Sequence, residues 1–210
     1  MDFWTRLEEA RTRWNVLEHP FYERWSEGRL TREELASYAG QYRHAVVALA
    51  DAAANAAAAA EPAIRVQLDE HAAEEAAHVD LWDDFGAAIG ADAGAPAEPE
   101  TQECARAWAD PDRGFLPTMV ALYAIESGQP PISHTKAQGL REHYGMATGP
   151  GVAYFDLHAR RDHEHAAAER ALIEPRLEGA DGEALLAEAE RVLRANWELL
   201  DGVERRNGRG

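Results

Sequence analysis

Cysteine is nearly absent from the 210-residue sequence: Cys104 is the one thiol, so a single chain can build neither a disulfide framework nor a thiolate zinc cluster. A reducing cytoplasm is the expected setting. Long apolar runs are missing too, and nothing approaches the roughly 20 residues that cross a bilayer. The start, MDFWTRLEEARTRW, has neither a basic segment leading into an apolar run nor a small-residue cleavage site, so a mature, soluble chain is expected. Positive charge is scarce, with 21 Lys and Arg against 38 Asp and Glu and a net charge of -17. That balance disfavours nucleic acid and anionic membranes as partners, because both need concentrated cationic side chains. Runs of alternating β-branched residues are also lacking, which excludes any extensive sheet.

What is present reads as helix. Ala, Leu, Glu and Arg dominate with an apolar period of 3.6 residues. A first helix is expected over residues 2–17, ended by His19-Pro20, then a short helical turn carrying Phe21, Tyr22 and Trp25. Thr31 and Glu34 have the spacing of a capping box and open a long helix to Ala60. Pro62 suits the first turn of a helix reaching Ile89. After a loop rich in Ala, Gly and Pro, further helices are expected over residues 101–109, 114–127, 131–144, 151–178 and 182–205. Together these predict an all-α bundle of about seven helices forming one domain over residues 1–210, large enough to bury a core unaided.

The strongest chemical signal is His158-x3-Asp162-x2-His165. At i, i+4 and i+7 of a helix these three side chains leave one face over two turns, a spacing that can hold a metal without choosing among iron, manganese and zinc. A second signal is Glu75 and His78, at i and i+3, the spacing by which helical bundles bring a carboxylate and an imidazole to one ion. The third is Glu126, alone on an apolar helix, where burying it ionised costs on the order of several kcal/mol unless a cation accompanies it. One further oddity is that Lys136 is the only lysine among the 21 basic residues. Where arginine carries nearly all the positive charge, a lone lysine points to amine chemistry.

With these motifs, and with LEHPFYERWSEGRLTREELASYAGQY, HVDLWDDFGAAIG, ALYAIESGQPPISHTKAQGLREHYG and YFDLHARRDHEHAAAERALIE, the chain resembles the haem-oxygenase-like diiron oxidases of the TenA and PqqC superfamily over nearly its whole length. Within them it is most similar to the CADD-like 4-aminobenzoate synthases. The resemblance implies a haem-oxygenase-like fold and ligation of two ions, iron with iron or iron with manganese, by His78, Glu126, His158, Asp162 and His165, with O2 as co-substrate. It also brings Tyr22, Tyr38, Tyr154 and Lys136 near the site. In CADD-like enzymes a tyrosine of the protein supplies the ring of 4-aminobenzoate, for folate synthesis, and a lysine its amino group. Tyr22 and Lys136 match those two residues.

Two departures stand out. His71 occupies the position of the first carboxylate ligand of CADD-like sequences. Positions seven apart on a straight helix are about 10 Å apart along its axis, so Glu75, close to His78, is the first choice for that carboxylate, with Glu74 and His71 behind it. Ile125 replaces a tyrosine beside the central glutamate, which weakens the case for an identical radical path. Three other readings remain: a dimetal oxidase or oxygenase cleaving or oxygenating an external fatty-acid or amino-acid substrate, a TenA-like thiamine-salvage hydrolase using a cysteine, and a non-enzymatic interaction protein. A homodimer in the cytoplasm is expected.

Overall fold

Every regular element of the computed structural model, which describes residues 2–208, is helical. The chain order is α1 (Phe3–Arg13), a 3-10 turn (Val16–Glu18), α2 (Pro20–Ser26), α3 (Arg32–Ala59), α4 (Pro62–Ile89), α5 (Pro99–Trp108), α6 (Phe115–Glu126), α7 (Gln129–His143), α8 (Pro150–Ile173), a second 3-10 turn (Glu174–Arg176) and α9 (Gly182–Arg206). There are nine α-helical segments among the described residues, of which α2, seven residues long, is the helical turn expected around Phe21, Tyr22 and Trp25, and α5, ten residues long, is the helix expected over 101–109.

Local chemistry explains the boundaries. Thr31 and Glu34 form the capping box that the sequence predicts, each side chain satisfying the other's backbone N–H. The first helix stops at Arg13 rather than 17, because the Asn15 side chain accepts from Leu17 N–H and starts a 3-10 turn instead. The His19 backbone is extended, as the residue before a proline prefers, and its Nδ1 accepts from Phe21 N–H to cap α2. At the far end α8 stops at Ile173, short of 178, since Pro175 has no N–H to continue the ladder and the chain tightens into a 3-10 turn.

α3 packs along α4 and α7 along α8, while α8 also lies against α4 and α6. This last arrangement brings the candidate ligands together, since α4, α6 and α8 carry them. α6 is apolar around almost its whole circumference and buried from Thr118 through Leu122 and from Ala124 through Glu126, as a helix at the centre of a bundle must be. Beside it Phe21, Tyr22, Trp25, Tyr38, Trp82, Phe85 and Phe155 form one fully enclosed aromatic cluster. Its rings meet mostly edge to face at centroid separations such as 4.9 Å for Phe85–Phe155 and 5.3 Å for Trp82–Phe85; each such pair adds about 0.5–1.5 kcal/mol beyond simple burial. The buried indoles are satisfied: Trp82 donates to Ala39 O at 2.9 Å and Trp25 to Lys136 O at 3.1 Å. Among the described residues no helix is long and apolar enough to cross a membrane.

Candidate metal centre

Two helix faces and one helix end converge. From α8, His158, Asp162 and His165 all point inward and are buried. From α4 come His71, Glu75 and His78, and from the last residue of α6 comes Glu126. A helix C-terminus presents unpaired carbonyls and a partial negative charge, so a buried carboxylate there needs a positive neighbour.

The side chains sort into two groups whose ligand atoms lie within 4.8 Å of one another: His71, Glu75, Glu126 and His165 in one, and Glu75, His78 and His158 in the other. Glu75 belongs to both. His71 Nε2 is 3.2 Å and His165 Nδ1 3.1 Å from the two Glu126 oxygens, and His78 Nδ1 is 3.1 Å from Glu75 Oε1. None of these approaches has the alignment of a hydrogen bond, so His71 Nε2, Glu75 Oε1, His78 Nδ1, both Glu126 oxygens, His158 Nε2 and His165 Nδ1 are buried without a partner. Two ligands side by side on one ion with bonds of about 2.1 Å stand roughly 3 Å apart. Seven orphaned buried donor atoms at that spacing fit a pair of cations, and an imidazole and carboxylate set with no thiolate fits iron or manganese.

Asp162 sits one step back. Both its oxygens lie against His158 Nδ1, at 3.0 and 2.9 Å, and it stands 3.8 Å from His165 Nδ1. An ionised Asp162 would take the Nδ1 proton and leave His158 Nε2 free for a metal, the carboxylate–histidine pairing common at metal sites. Without a cation, burial and the nearby Glu126 and Glu75 charges push Asp162 up to about 9, and burial lowers His158 to about 4. Burial also opposes charge on His165 and Glu126, yet their mutual attraction overcomes it, raising His165 to about 9 and, with the help of His71, lowering Glu126 to about 2.

Of the three candidates for the first carboxylate position, Glu74 lies outside, 39 % exposed at its side chain, bound by Arg161 and by His165 Nε2 at 3.0 Å. Glu75 and His71 both face inward. The sequence carries a signal for this: His71-x3-Glu75-x2-His78 repeats the spacing of His158-x3-Asp162-x2-His165, so two helices present matching faces. Their rings meet across the interface, His71 on His165 at 4.3 Å and His78 on His158 at 4.6 Å.

A second set lies deeper. Lys136, 1 % exposed, donates from Nζ to the Tyr38 hydroxyl at 2.8 Å, and that hydroxyl is 2.8 Å from the hydroxyl of Tyr22. Five rings surround the amine, with Tyr42 at 4.7 Å and Tyr22 at 4.9 Å from Nζ to centroid. No carboxylate pairs with Lys136 among the described residues, and burial holds its pKa well below the usual lysine range. Tyr42 is an addition to the sequence-derived set. Tyr154 links the two sets, its ring 4.2 Å from His158 and 4.9 Å from Trp82, which in turn is 5.1 Å from Tyr42 and 5.9 Å from Tyr38. Cys104 is fully buried, and burial raises its thiol pKa, so it is no nucleophile.

Known proteins show the family and the fold. The pattern of the iron-containing redox enzyme family, a haem-oxygenase-like group, matches residues 36–197. The chain is 34% identical to a 4-aminobenzoate synthase of Nitrosomonas europaea over 90% of this chain and 85% of that protein, and 32% identical to one of Chlamydia trachomatis over 96% and 91%. Among solved structures, a haem-oxygenase-like domain of unknown function from Shewanella denitrificans superposes with a TM-score of 0.83 at 18% identity, covering 99% of this chain and 94% of that one. A TenA homologue from P. horikoshii gives 0.76 at 16%, covering 99% and 100%. The fold expected from the sequence is therefore the fold observed, and the chain belongs to the haem-oxygenase-like family of iron-containing redox enzymes.

Proposed function

We propose that this chain is a CADD-like 4-aminobenzoate synthase that makes its product, for folate synthesis, from its own Tyr22 with Lys136 as the amino donor. The observation that carries the reading is the placement of the lone lysine: a buried amine, its pKa held well below the usual lysine range, 4.9 Å from the Tyr22 ring and tied to the Tyr22 hydroxyl through Tyr38. His71, Glu75, His78, Glu126, His158 and His165, with Asp162 behind His158, would hold two ions, iron with iron or iron with manganese, which would supply the activation of O2.

The remaining work falls to the protein. A lowered pKa favours the amine form, which keeps the lone pair that an ammonium group lacks, and so suits Lys136 to the role of nitrogen donor. Tyr38 accepts from Lys136 and is left with its own proton to donate to Tyr22, orienting both reactants at once. Phe155, Trp82 and Tyr42 close the remaining sides against water. Tyr154 and Trp82 form an aromatic line from His158 toward Tyr38 and Tyr22, a route for oxidising Tyr22 that does not need a tyrosine at position 125.

We read the chain as one domain working as a cytoplasmic homodimer, with O2 as its small-molecule partner and, given its charge of -17, no nucleic acid. The test is to load the apo protein with Fe(II), or with Fe(II) and Mn(II), add reductant and O2, and assay 4-aminobenzoate by mass spectrometry. Wild type and Tyr42→Phe are expected to form it; Tyr22→Phe and Lys136→Arg are expected to keep their metals and form none. Product from either of the latter two at the wild-type level would overturn self-sacrifice. An oxidase acting on an external molecule would then stand, and a cavity of about 430 Å³ beside Ile125, Trp14 and Trp108 offers that molecule room.

A further inference from the structure

The ligand face of α8 does not end at His165. One turn on, Glu169 continues the same stripe, 2 % exposed, with both carboxyl oxygens buried and without a hydrogen-bond partner. No arginine or lysine pairs with it among the described residues. It lies against Glu126, and with His71, His165, Glu70 and Glu74 it lines a cavity of about 190 Å³ that opens to solvent. Ionising a carboxyl so placed costs on the order of several kcal/mol unless a cation meets it, and no cationic side chain pairs with it among the described residues.

Charge decides what that something is. Four carboxyl groups, Glu75, Glu126, Asp162 and Glu169, and four imidazoles, His71, His78, His158 and His165, are gathered at the centre. With neutral imidazoles, four carboxylates balance two divalent cations; three would leave a net positive charge in a medium where charge is poorly screened. The position of Glu169 assigns it to one ion, since the cavity is lined by His71, His165 and Glu169 but not by His78 or His158.

We propose that Glu169 is a ligand of the ion held by His71, Glu126 and His165, and that this ion loads and exchanges through the cavity beside Glu70 and Glu74. The inference rests on the dimetal reading of the site. Glu70 is exposed at the mouth, Glu74 is held there by Arg161 and His165 Nε2, and Glu169 is the first buried carboxylate that an entering cation meets. The lining of this cavity includes neither His78 nor His158, so the ion they hold is expected to exchange more slowly.

Anaerobic titration of the full-length apo protein with Co(II), read by visible absorption and by metal analysis, tests this. Wild type is expected to bind two ions per chain. Glu169→Gln is expected to keep one at wild-type affinity, with the other weakened by roughly 100-fold or more and its absorption band altered, since even loss of an outer partner to a ligand costs about 10- to 100-fold. His78→Ala is expected to lose the opposite ion and keep the one that depends on Glu169. A folded Glu169→Gln that binds both ions with wild-type affinities and spectrum overturns the proposal. Should the glutamine variant fail to fold, Glu169→Asp retains the charge one methylene short, and the same ion weakened by about tenfold supports the proposal while unchanged affinities refute it. Fewer than two ions on wild type would remove the dimetal reading itself, and this inference with it.

Discussion

Glu126 and Asp162 are both buried carboxyls beside His165, yet their surroundings drive them in opposite directions: two imidazoles hold Glu126 down at about 2, while burial and the charges of Glu126 and Glu75 lift Asp162 to about 9. In the metal-free protein Glu126 is therefore the anion of a buried ion pair and Asp162 a neutral acid. Glu126→Gln is expected to abolish metal binding and to destabilise the apo protein by roughly 3 kcal/mol, the scale for breaking a buried pair. Asp162→Asn should weaken metal binding while apo stability holds or rises; thermal melts of both apo variants check the contrast, and equal losses would refute it. The same groups set a pH dependence. His165, raised to about 9, and Asp162, also at about 9, must lose protons before the metals can bind as drawn. In the apo fold both pKa values exceed their unfolded values, so both contribute stability at low pH that is lost as pH rises toward 9. Lys136, whose pKa is lowered, acts in the opposite sense, but it does so with and without metal and cancels in the difference. The gain in melting temperature on adding Co(II) is thus expected to grow from pH 6.5 to 9, and a flat or falling gain would show that neither group titrates with metal.

At the scale of elements, the proposed reaction depends on α2 and α7 staying close, because α2 carries Tyr22 and α7 carries Lys136. Gly139 permits the approach: a Cβ there would stand 2.7 Å from Trp25 Cδ1 and 3.2 Å from its backbone oxygen. Gly139→Ala must push the helices apart or turn Trp25, breaking its bond to Lys136 O. A cost of about 1–3 kcal/mol follows, the range for overpacking a tight interface. Product formation is expected to fall while metal binding, on α4, α6 and α8, stays at the wild-type level; full product yield would separate the two sites' geometry from this contact. The helices themselves were legible in the sequence, because period, caps and prolines act locally: the Thr31–Glu34 box and Pro62 at a first turn are both as read. Ends were less so, since Asn15 and Pro175 convert the last stretches into 3-10 turns by side-chain and ring effects that periodicity does not register. In the site, spacing found the α8 face and Glu75 with His78, but not the part played by His71. Axial separation along one helix put His71 too far from His78 to share its ion, and a partner ion on facing helices removes that objection. Tyr42 and Glu169 were illegible for a different reason, as each becomes distinctive only by facing groups far away in the chain.

For the molecule as a whole, the proposed chemistry turns the chain from catalyst into reactant, and that fixes a stoichiometry. Both halves of the product have a single source, since Lys136 is the only lysine in the sequence and Tyr22 is the tyrosine that Tyr38 joins to it. Neither can be replaced from solvent, because the amine and the ring lie within an aromatic cluster that is fully buried. Whatever the concentrations of O2 and reductant, product should level off at no more than one 4-aminobenzoate per chain. The spent chain is expected to show mass changes confined to the peptides holding residues 22 and 136. Its helical content should persist, because α3 on α4 and α7 on α8 pack along much of their lengths beyond the aromatic cluster; each void left by a lost group costs stability, by roughly 3–5 kcal/mol for a large aromatic. Circular dichroism and melting of spent against fresh protein would show helices retained and the midpoint lowered. Free ammonium or 4-hydroxybenzoate added to the reaction should change nothing if the donors are internal, and added isotopically labelled ammonium should leave the product unlabelled. Label in the product, or yields of many equivalents per chain, would make this an ordinary catalyst drawing on external substrates.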